Sequence, residues 1–266
     1  MGDSRLQQFC RSAHDASGAA MGRLIISPPD RGSANMAIDD ALLANASPEQ
    51  GPTLRFYRWC EPTLSLGYFQ PIACRHGHTA SEVLPLVRRA SGGGAIIHDR
   101  ELTYSLILPL VNKSDRSAAL DIYRAVHGAF IDALAQWGIS AQRFGETGQD
   151  AKTAEPFLCF QRRNGEDLVI SGYKVLGSAQ RRGPSGVLQH GSLLLAASEA
   201  APELPGILEL TSRTIDVDSL IGQLSVKLAA VCGVGWSLGD VSIGELSSSK
   251  AILKEKFSSV QWTAKR

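Results

Sequence analysis

A thiol, a primary amine and an imidazole lie close together in the stretch from Cys159 to Gly191. Cys159 could act as a nucleophile, and Lys174 could supply the positive charge that favours its thiolate form. His190 adds an imidazole near the end of the stretch. A lone cysteine is more often a small packed hydrophobic residue, and a lone lysine on a hairpin is more often solvated. The residue types alone therefore leave catalysis open.

A predicted β-hairpin would position the lysine. The pattern over Leu168–Gln180 predicts a strand, a tight turn at Ser171 and Gly172, and a second strand that carries Lys174. Because a hairpin reverses the chain, it can return this lysine toward Cys159 in the irregular segment upstream, so both side chains could meet at one site. The residues after the lysine are small and would leave room for a ligand against the backbone: Gly177, Ser178 and Ala179.

A glycine-rich segment is the second candidate for chemistry. Gly92, Gly93 and Gly94 follow a strand predicted over Leu84–Arg89. Such a run can expose backbone amides with no side chain in the way, so a carboxyl, phosphate or thioester group could approach. The segment matches neither the phosphate-binding loop of nucleotide hydrolases nor the dinucleotide fingerprint. A plain glycine-rich turn between strands remains the alternative.

Composition limits the class of protein. The chain has 266 residues, of which 44% are apolar, and this is ample for a core. Its 27 basic residues nearly balance its 26 acidic ones, which argues against binding nucleic acid or an anionic membrane through net charge. No apolar run approaches membrane-spanning length, and residues 1–20 lack the apolar core of a signal peptide.

The cysteines indicate a reduced, cytoplasmic protein. They number 5, are irregularly spaced and include no Cys-x-x-Cys pair, which argues against a disulfide framework or a zinc ribbon. Cys74, His76 and His78 lie in one loop, but a short cluster without a second group of ligands is more often surface structure. No metal site is therefore predicted.

The order of elements predicts one α/β domain. Residues 1–20 are predicted to form a disordered extension, and residues 21–266 a domain with a helical C-terminal tail. Ser33 is the expected N-cap of the first helix. The buried face of that helix is expected to comprise Ala34, Ile38, Ala41, Leu42 and Asn45. Strands are expected at Gly22–Ser27, Leu54–Trp59, Thr63–Gly67, Leu84–Arg89, Ala95–Ile97, Leu102–Pro109 and Val187–Leu195.

Further helices are expected in the second half of the chain. They are predicted over Ser117–Trp137, Ser219–Val231 and Ser249–Phe257. The first of them carries an apolar stripe that indicates core packing without chemistry. The stripe comprises Leu120, Tyr123, Val126, Phe130, Leu134 and Trp137.

Three segments, in order and at their spacing, resemble a known superfamily. Asn35–Leu42 is similar to its first helix, Arg88–Ser105 to its acyl-binding glycine loop and following strand, and Gly172–Arg182 to its lysine motif. From about Met21 to the C-terminus, the chain resembles the superfamily of lipoate-protein ligase A, biotin ligases and octanoyltransferases. The resemblance implies a mixed central β-sheet flanked by helices.

Within that superfamily, a cysteine upstream of the motif lysine resembles the octanoyltransferases of the LipM type. The resemblance implies transfer of an octanoyl group from acyl carrier protein to a lysine of a lipoyl domain, through a thioester on Cys159. The acceptors would be lipoyl domains of 2-oxoacid dehydrogenase complexes or the glycine cleavage H protein. No metal or ATP is required, because the donor is already a thioester.

The resemblance also implies roles for individual residues. Cys159 would be the nucleophile. Lys174 would favour the thiolate and later act as a base for the incoming amine. The acyl group would be bound by Arg89, Ser91, Gly92, Gly93, Gly94, His98, Gly177, Ser178, Ala179 and His190.

Three alternatives remain. Gly94 departs from the LipM-type pattern, which often has a bulkier residue there, whereas ATP-dependent lipoate ligases commonly have glycine. In a ligase, Lys174 would hold the acyl-adenylate and Cys159 would be a bystander. An amidotransferase between two lipoyl domains would keep Cys159 but change the donor. A non-catalytic binder of lipoyl domains or acyl carrier protein would need neither Cys159 nor Lys174.

Overall fold

The computed structural model describes residues 20–110, 119–148 and 156–265. The predicted disordered extension, apart from Ala20, lies outside the described residues. The strands are β1 Met21–Ile26, β2 Thr53–Tyr57, β3 Thr63–Leu66, β4 Leu86–Arg88, β5 Ile96–His98, β6 Glu101–Pro109, β7 Gln142–Arg143, β8 Leu168–Ile170, β9 Tyr173–Arg182, β10 Gly186–Leu194 and β11 Gly235–Leu238. The α-helices are α1 Gly32–Ala44, α2 Ala119–Gln136, α3 Ile207–Thr211, α4 Val217–Cys232, α5 Ile243–Ile252 and α6 Val260–Thr263, and a π-helical turn spans Leu253–Phe257.

Two sheets organise the described residues. The larger is an eight-stranded mixed sheet in the order β11-β1-β2-β6-β10-β9-β8-β7, and the smaller is a three-stranded sheet in the order β4-β3-β5. Strands β6 and β10 pair antiparallel over their whole length, and every residue of both is buried. The expected α/β architecture, a mixed sheet flanked by helices, is confirmed.

The strands β2 and β3 belong to different sheets, although only a short segment containing Pro62 separates them. Strand β2 pairs with β1 and β6 in the large sheet. Strand β3 instead pairs with β4 and β5, where Leu64 lies opposite both Leu86 and Ile97. This arrangement matters for the site, because the small sheet holds the glycine-rich segment between β4 and β5.

Helix α1 differs from its expected cap and face. Ser33 lies inside the helix, which begins at Gly32 after an N-cap residue without a side-chain hydrogen bond. Asn35 and Asp39 are buried. Both face Arg55 of β2, whose guanidinium donates to the Asn35 Oδ1 and Asp39 Oδ1 atoms at 2.8 Å each. Because a buried guanidinium requires acceptors, charge pairing as well as apolar periodicity selects this face.

The main core lies between the large sheet and helices α2 and α4. Leu220, Leu224 and Leu228 of α4 are fully buried. On α2, Leu120 is 48% exposed and Ile122 is the buried residue of that turn. The apolar stripe expected on α2 is therefore correct at its central residues, Val126, Phe130 and Leu134, which are buried. It is wrong at its first residue, Leu120.

The C-terminal tail is helical as expected, but α5 begins earlier than predicted. Ser242 caps it by accepting from the Glu245 backbone N–H, and Glu245 accepts in return from the Ser242 backbone N–H. This capping box is a readable sequence signal for the true start. Glu245 also forms an ion pair with Arg23 of β1 at 2.6 Å, which ties the tail to the large sheet. Every helix among residues 20–110, 119–148 and 156–265 is too short or too polar to span a bilayer.

Candidate active site

Cys159 is held beside the glycine-rich loop by backbone pairing. It begins a single 3₁₀ turn, Cys159–Gln161. Its N–H donates to the Ala95 carbonyl at 2.6 Å, while the Ala95 N–H donates to the Phe157 carbonyl at 3.1 Å. The segment that carries the thiol is thus fixed against the residue that follows Gly94. The Cys159 side chain is half-buried.

The predicted hairpin brings Lys174 to the thiol. Ser171 and Gly172 have φ angles of 50° and 81°, the left-handed pair that a two-residue turn requires. The turn reverses the chain from β8 into β9, and the Lys174 Nζ atom lies 3.9 Å from the Cys159 Sγ atom. The hairpin therefore brings together two side chains that are 15 residues apart along the chain.

A buried carboxylate fixes the lysine as a cation. The Asp167 Oδ2 atom lies 2.8 Å from Lys174 Nζ, and both side chains are almost fully buried. Asn164 holds this carboxylate through its backbone N–H at 2.8 Å and its Nδ2 atom at 3.1 Å. Burial lowers the pKa of Lys174, but the negative charges of Cys159 and Asp167 outweigh it and raise the pKa above its ordinary value. The lysine therefore presents an ammonium beside the Cys159 thiol.

Glycine at position 177 makes room for the lysine side chain. A Cβ atom on Gly177 would lie 2.4 Å from the Lys174 Cε atom and 2.7 Å from Nζ. The lysine lies across the backbone of its own strand, with Nζ 5.4 Å from the centre of the Phe160 ring. Any side chain at Gly177 would displace the ammonium from the thiol.

Arg89 holds the glycine-rich loop together. Its Nη1 atom donates to the carbonyl and the hydroxyl of Ser65, each at 2.8 Å. Its Nη2 atom donates to the carbonyls of Gly94 at 2.7 Å and Gly92 at 3.3 Å. Burial lowers the pKa of Arg89, although the charges of Cys159 and Glu101 oppose that shift. This arginine therefore orders the loop through backbone carbonyls.

One cavity joins the two candidate segments. It encloses about 470 Å³, including its open mouth, and Cys159 forms part of its wall. Eight of the ten expected binding residues line it, namely Arg89, Gly92, Gly93, His98, Gly177, Ser178, Ala179 and His190. The other two, Ser91 and Gly94, support the wall: the Ser91 hydroxyl lies 2.6 Å from His190 Nε2, and the Gly94 carbonyl accepts from Arg89.

Burial disfavours the charged form of both histidines of the cavity. Burial lowers the pKa of His190 to about 4, and the nearby Asp39 opposes this only in part. Burial also lowers the pKa of His98, which stacks on Trp59 at 3.8 Å and lies 2.7 Å from the Glu101 carboxylate. Apart from the Arg89 guanidinium, which is bonded to backbone carbonyls, these rings and the glycine backbone form walls that suit an uncharged chain.

A polar network behind the cavity was not expected from the sequence. His127 and Tyr123 lie on α2, whose stripe was interpreted as core packing without chemistry. The His127 Nε2 atom lies 2.7 Å from the Ser178 hydroxyl, and the Tyr104 hydroxyl lies 2.7 Å from the same oxygen. Tyr123 bonds the backbone of Ser178 at both its N–H and its carbonyl. Burial lowers the pKa of His127 to about 3, which favours a neutral ring. Because its Nδ1 atom lies 2.7 Å from the Glu166 carbonyl, an obligate acceptor, Nδ1 carries the hydrogen and Nε2 accepts from Ser178.

Neither this network nor Asp167 follows a recognisable motif. The hints in the sequence are that Tyr123 belongs to the apolar helical stripe and that His127 directly follows Val126 of that stripe. Asp167 follows a polar turn without a distinctive spacing to the lysine.

The cluster of Cys74, His76 and His78 lies elsewhere. His76 pairs with Glu82 at 2.7 Å, and His78 with Glu203 at 2.9 Å. Within the described part of the chain, no group of three or more potential ligand side chains is arranged to hold a metal ion.

Gly93 offers a test of the loop. Its φ angle is 99°, and a Cβ atom there would lie 3.4 Å from Arg89 Nη2 and 4.0 Å from Cys159 Sγ. Gly93→Val should slow alkylation of Cys159 by a small reagent by ~10-fold or more and cost ~1–3 kcal/mol of stability, because a branched residue strains this backbone. Mass mapping of the Cys159 peptide and thermal melting measure both.

Gly222 provides the matched control. It lies on α4 with nothing within 4 Å of a Cβ, so Gly222→Val should leave alkylation unchanged. If Gly93→Val also reacts at the wild-type rate, the loop is only a turn.

Comparisons with known proteins identify relatives of the chain. The model of the lipoyl protein ligase A/B catalytic domain matches residues 31–230. Octanoyltransferase LipM of Anoxybacillus flavithermus is 37% identical over 172 residues, spanning 62% of each chain. Octanoyltransferase LipM of Geobacillus kaustophilus is 29% identical over 266 aligned positions, spanning 87% of this chain and 94% of that one.

A solved structure shares the fold. A chain from the structure of a bipartite lipoate protein ligase and its E2 lipoyl domain from Thermoplasma acidophilum has a TM-score of 0.70 at 19% identity. The match covers 92% of this chain and 96% of that one. The architecture is therefore that of the lipoate ligases. Because the family model matches most of its length, the chain belongs to the lipoyl protein ligase A/B catalytic domain family.

Proposed function

We propose that the protein is an octanoyltransferase that moves an octanoyl group from acyl carrier protein to a lysine of a lipoyl domain, through a thioester on Cys159. One observation carries the proposal. The Lys174 ammonium, fixed by Asp167, lies 3.9 Å from a half-buried thiol in the wall of the cavity. The two relatives named octanoyltransferase LipM support the acyl group and the reaction class.

In the first half-reaction, the Cys159 thiolate attacks the thioester carbonyl of the donor. A carbon–sulfur bond forms to Cys159, and the bond to the donor sulfur breaks. The departing thiolate needs a proton, and the Lys174 ammonium, 3.9 Å from Cys159 Sγ, can donate it. The step ends with acylated Cys159, a free donor thiol and a neutral lysine.

The second half-reaction uses that neutral lysine as a base. An acceptor lysine with a pKa near 10.4 is neutral about one time in a thousand at pH 7.4, which costs roughly 4 kcal/mol. Its amine attacks the thioester, the amide forms, and the Cys159 thiolate leaves. Lys174 takes the remaining amine proton, which restores the ion pair. Acylation removes the negative charge of Cys159, one of the two anions that raise the pKa of Lys174. The pKa of Lys174 therefore falls when Cys159 is acylated, and this makes it easier for the lysine to give up its proton in the first half-reaction.

The cavity suits the acyl tail. Its walls combine glycine backbone, Phe160 and buried histidines. The Arg89 guanidinium in the wall already donates to backbone carbonyls, so an alkyl chain can replace water along these walls. We place the acceptor among lipoyl domains because the structural relative from Thermoplasma acidophilum is described with its E2 lipoyl domain. The reaction belongs in the cytoplasm, where thiols stay reduced.

Gly94 does not favour the ligase alternative in this chain. A Cβ atom on Gly94 would lie 3.1 Å from the Cys159 Cα atom and 3.1 Å from Arg162 Nε. Packing against the cysteine segment therefore leaves little room for a side chain here, whether or not ATP is used. The departure from the LipM-type pattern thus has a structural reason.

A single assay tests the proposal. Wild-type protein incubated with octanoyl-acyl carrier protein, without ATP, should gain the mass of one octanoyl group on the peptide that contains Cys159. Adding a lipoyl domain should discharge that thioester and add the same mass to one lysine of the domain. Modification that occurs only with free octanoate and ATP would instead support the ligase.

A further inference from the structure

The segment Ser259–Lys265 lies beyond the part of the chain that the family model matches. We propose that this segment, called here the C-terminal strap, holds the glycine-rich loop in position against Cys159, with Trp262 and Arg88 as positioning residues. The expected effect of the strap on acylation of Cys159 rests on the proposed function. Its role in holding the glycine-rich loop does not depend on that function.

Arg88 connects the strap to the small sheet. Its side chain is fully buried, and its Nε atom donates to the Thr263 carbonyl at 2.9 Å. Its Nη1 atom donates to the carbonyls of Gly67 at 3.0 Å and Gln70 at 2.6 Å. In the other direction, the Trp262 indole N–H donates to the Arg88 carbonyl at 2.9 Å. The strap and the turn over residues 67–70 are thus joined through one arginine.

That turn lies directly against the glycine-rich loop. A Cβ atom on Gly67 would lie 1.9 Å from the Gly93 carbonyl oxygen, so the two backbones are in contact. The Tyr68 N–H donates to the Ser91 carbonyl at 2.9 Å. On its far side, Gly93 faces the thiol, with its Cβ position 4.0 Å from Cys159 Sγ. A continuous path therefore runs from Thr263 to the nucleophile.

The strap is held by contacts that can be removed singly. Lys265 Nζ donates to the Tyr68 hydroxyl at 2.9 Å and lies 5.1 Å from the centre of the Trp262 ring. The Trp262 ring lies 6.1 Å from that of Phe257. Phe257 is buried in one hydrophobic cluster with Met36 and Tyr57, and both of these also line the cavity. The strap therefore supports the cavity wall from behind as well as the loop.

The test compares three variants of the full chain. Trp262→Ala removes both the ring and the N–H donor, whereas Trp262→Phe keeps an aromatic ring and removes only the donor. Val260→Ala is the matched control, because Val260 lies on the same helix and is 81% exposed. Hydrogen exchange over residues 67–70 and 91–95, thermal melting, and the single-turnover rate of Cys159 acylation are measured for each.

In Trp262→Ala, we expect exchange over both segments to rise ~10-fold or more and acylation to slow ~10-fold or more. In Trp262→Phe, both the exchange and the acylation rate should lie between those of Trp262→Ala and wild type. This variant provides the test if Trp262→Ala does not fold. Val260→Ala should match wild type in both. Because the thiol itself is unchanged, a lower rate with an unshifted melting temperature identifies positioning rather than global destabilisation.

Unchanged exchange in both tryptophan variants overturns the inference, whatever their activity. Raised exchange with wild-type acylation rates overturns the positioning role. If wild-type protein is not acylated at all while exchange still rises in the variants, the proposed function fails and the structural role of the strap stands.

Discussion

Cys159→Ala is expected to abolish octanoyl transfer, by a factor of ~10³ or more, even with both protein substrates saturating. In the proposed reaction every acyl group passes through sulfur, so no route remains when the thiol is removed. Cys159→Ser should be severely impaired, because a hydroxyl is a far poorer nucleophile near neutral pH. A gel-shift or mass assay on a lipoyl domain measures the product.

The same variant separates transferase from ligase. The assay is run with octanoyl-acyl carrier protein alone and then with free octanoate or lipoate plus ATP. A ligase would keep ATP-driven attachment in Cys159→Ala and lose it only in Lys174→Ala. Cys232→Ala is a useful control, since Cys232 is buried in the core on α4 and away from the cavity. An active Cys159→Ala protein in either assay would rule out the covalent mechanism.

Removing either partner of the buried ion pair should have the second-largest effect. Lys174→Ala is expected to slow both half-reactions by ~10²-fold or more, because the thiolate loses its cation and the incoming amine loses its base. Asp167→Asn leaves the lysine in place but removes the anion 2.8 Å from it. Asp167→Asn should also lower the free energy of unfolding by ~3 kcal/mol, because the buried Lys174 ammonium loses its carboxylate partner.

The pH profile gives the sharper readout for Asp167. The pKa of Lys174 lies above its ordinary value in the folded protein, so the pair contributes stability below about pH 10.4 and loses it as the pH rises through the folded pKa. In Asp167→Asn, only the charge of Cys159 is left to oppose the lowering of the Lys174 pKa by burial, so this pKa falls. The single-turnover rate of acylation should then decline with rising pH at a lower pH than in wild type.

Asp132→Asn is the control for this profile, because Asp132 is exposed on α2. It should leave both the rate and the alkaline limb unchanged. An alkaline limb in Asp167→Asn that coincides with that of wild type would show that Asp167 does not set the charge of Lys174.

The sequence by itself was enough for the elements that depend on near neighbours. The β8–β9 hairpin follows from Ser171 and Gly172, which can take the left-handed turn, and from the strand-like runs on either side. The glycine-rich loop follows from three glycines between β-rich runs. The resemblance then identified Cys159 and Lys174 as a pair, and the hairpin explains why they can meet.

Only the tertiary structure showed what surrounds that pair. Asp167 and the network of His127, Tyr104 and Ser178 involve partners from separate elements, so no local period or spacing reveals them. The separation of β2 and β3 into two sheets also depends on which distant strands each one meets. Likewise, the buried face of α1 includes Asp39 because Arg55 requires an acceptor. Turn and strand preferences act between neighbours along the chain, whereas buried charges are paired by whichever residues the completed fold brings together.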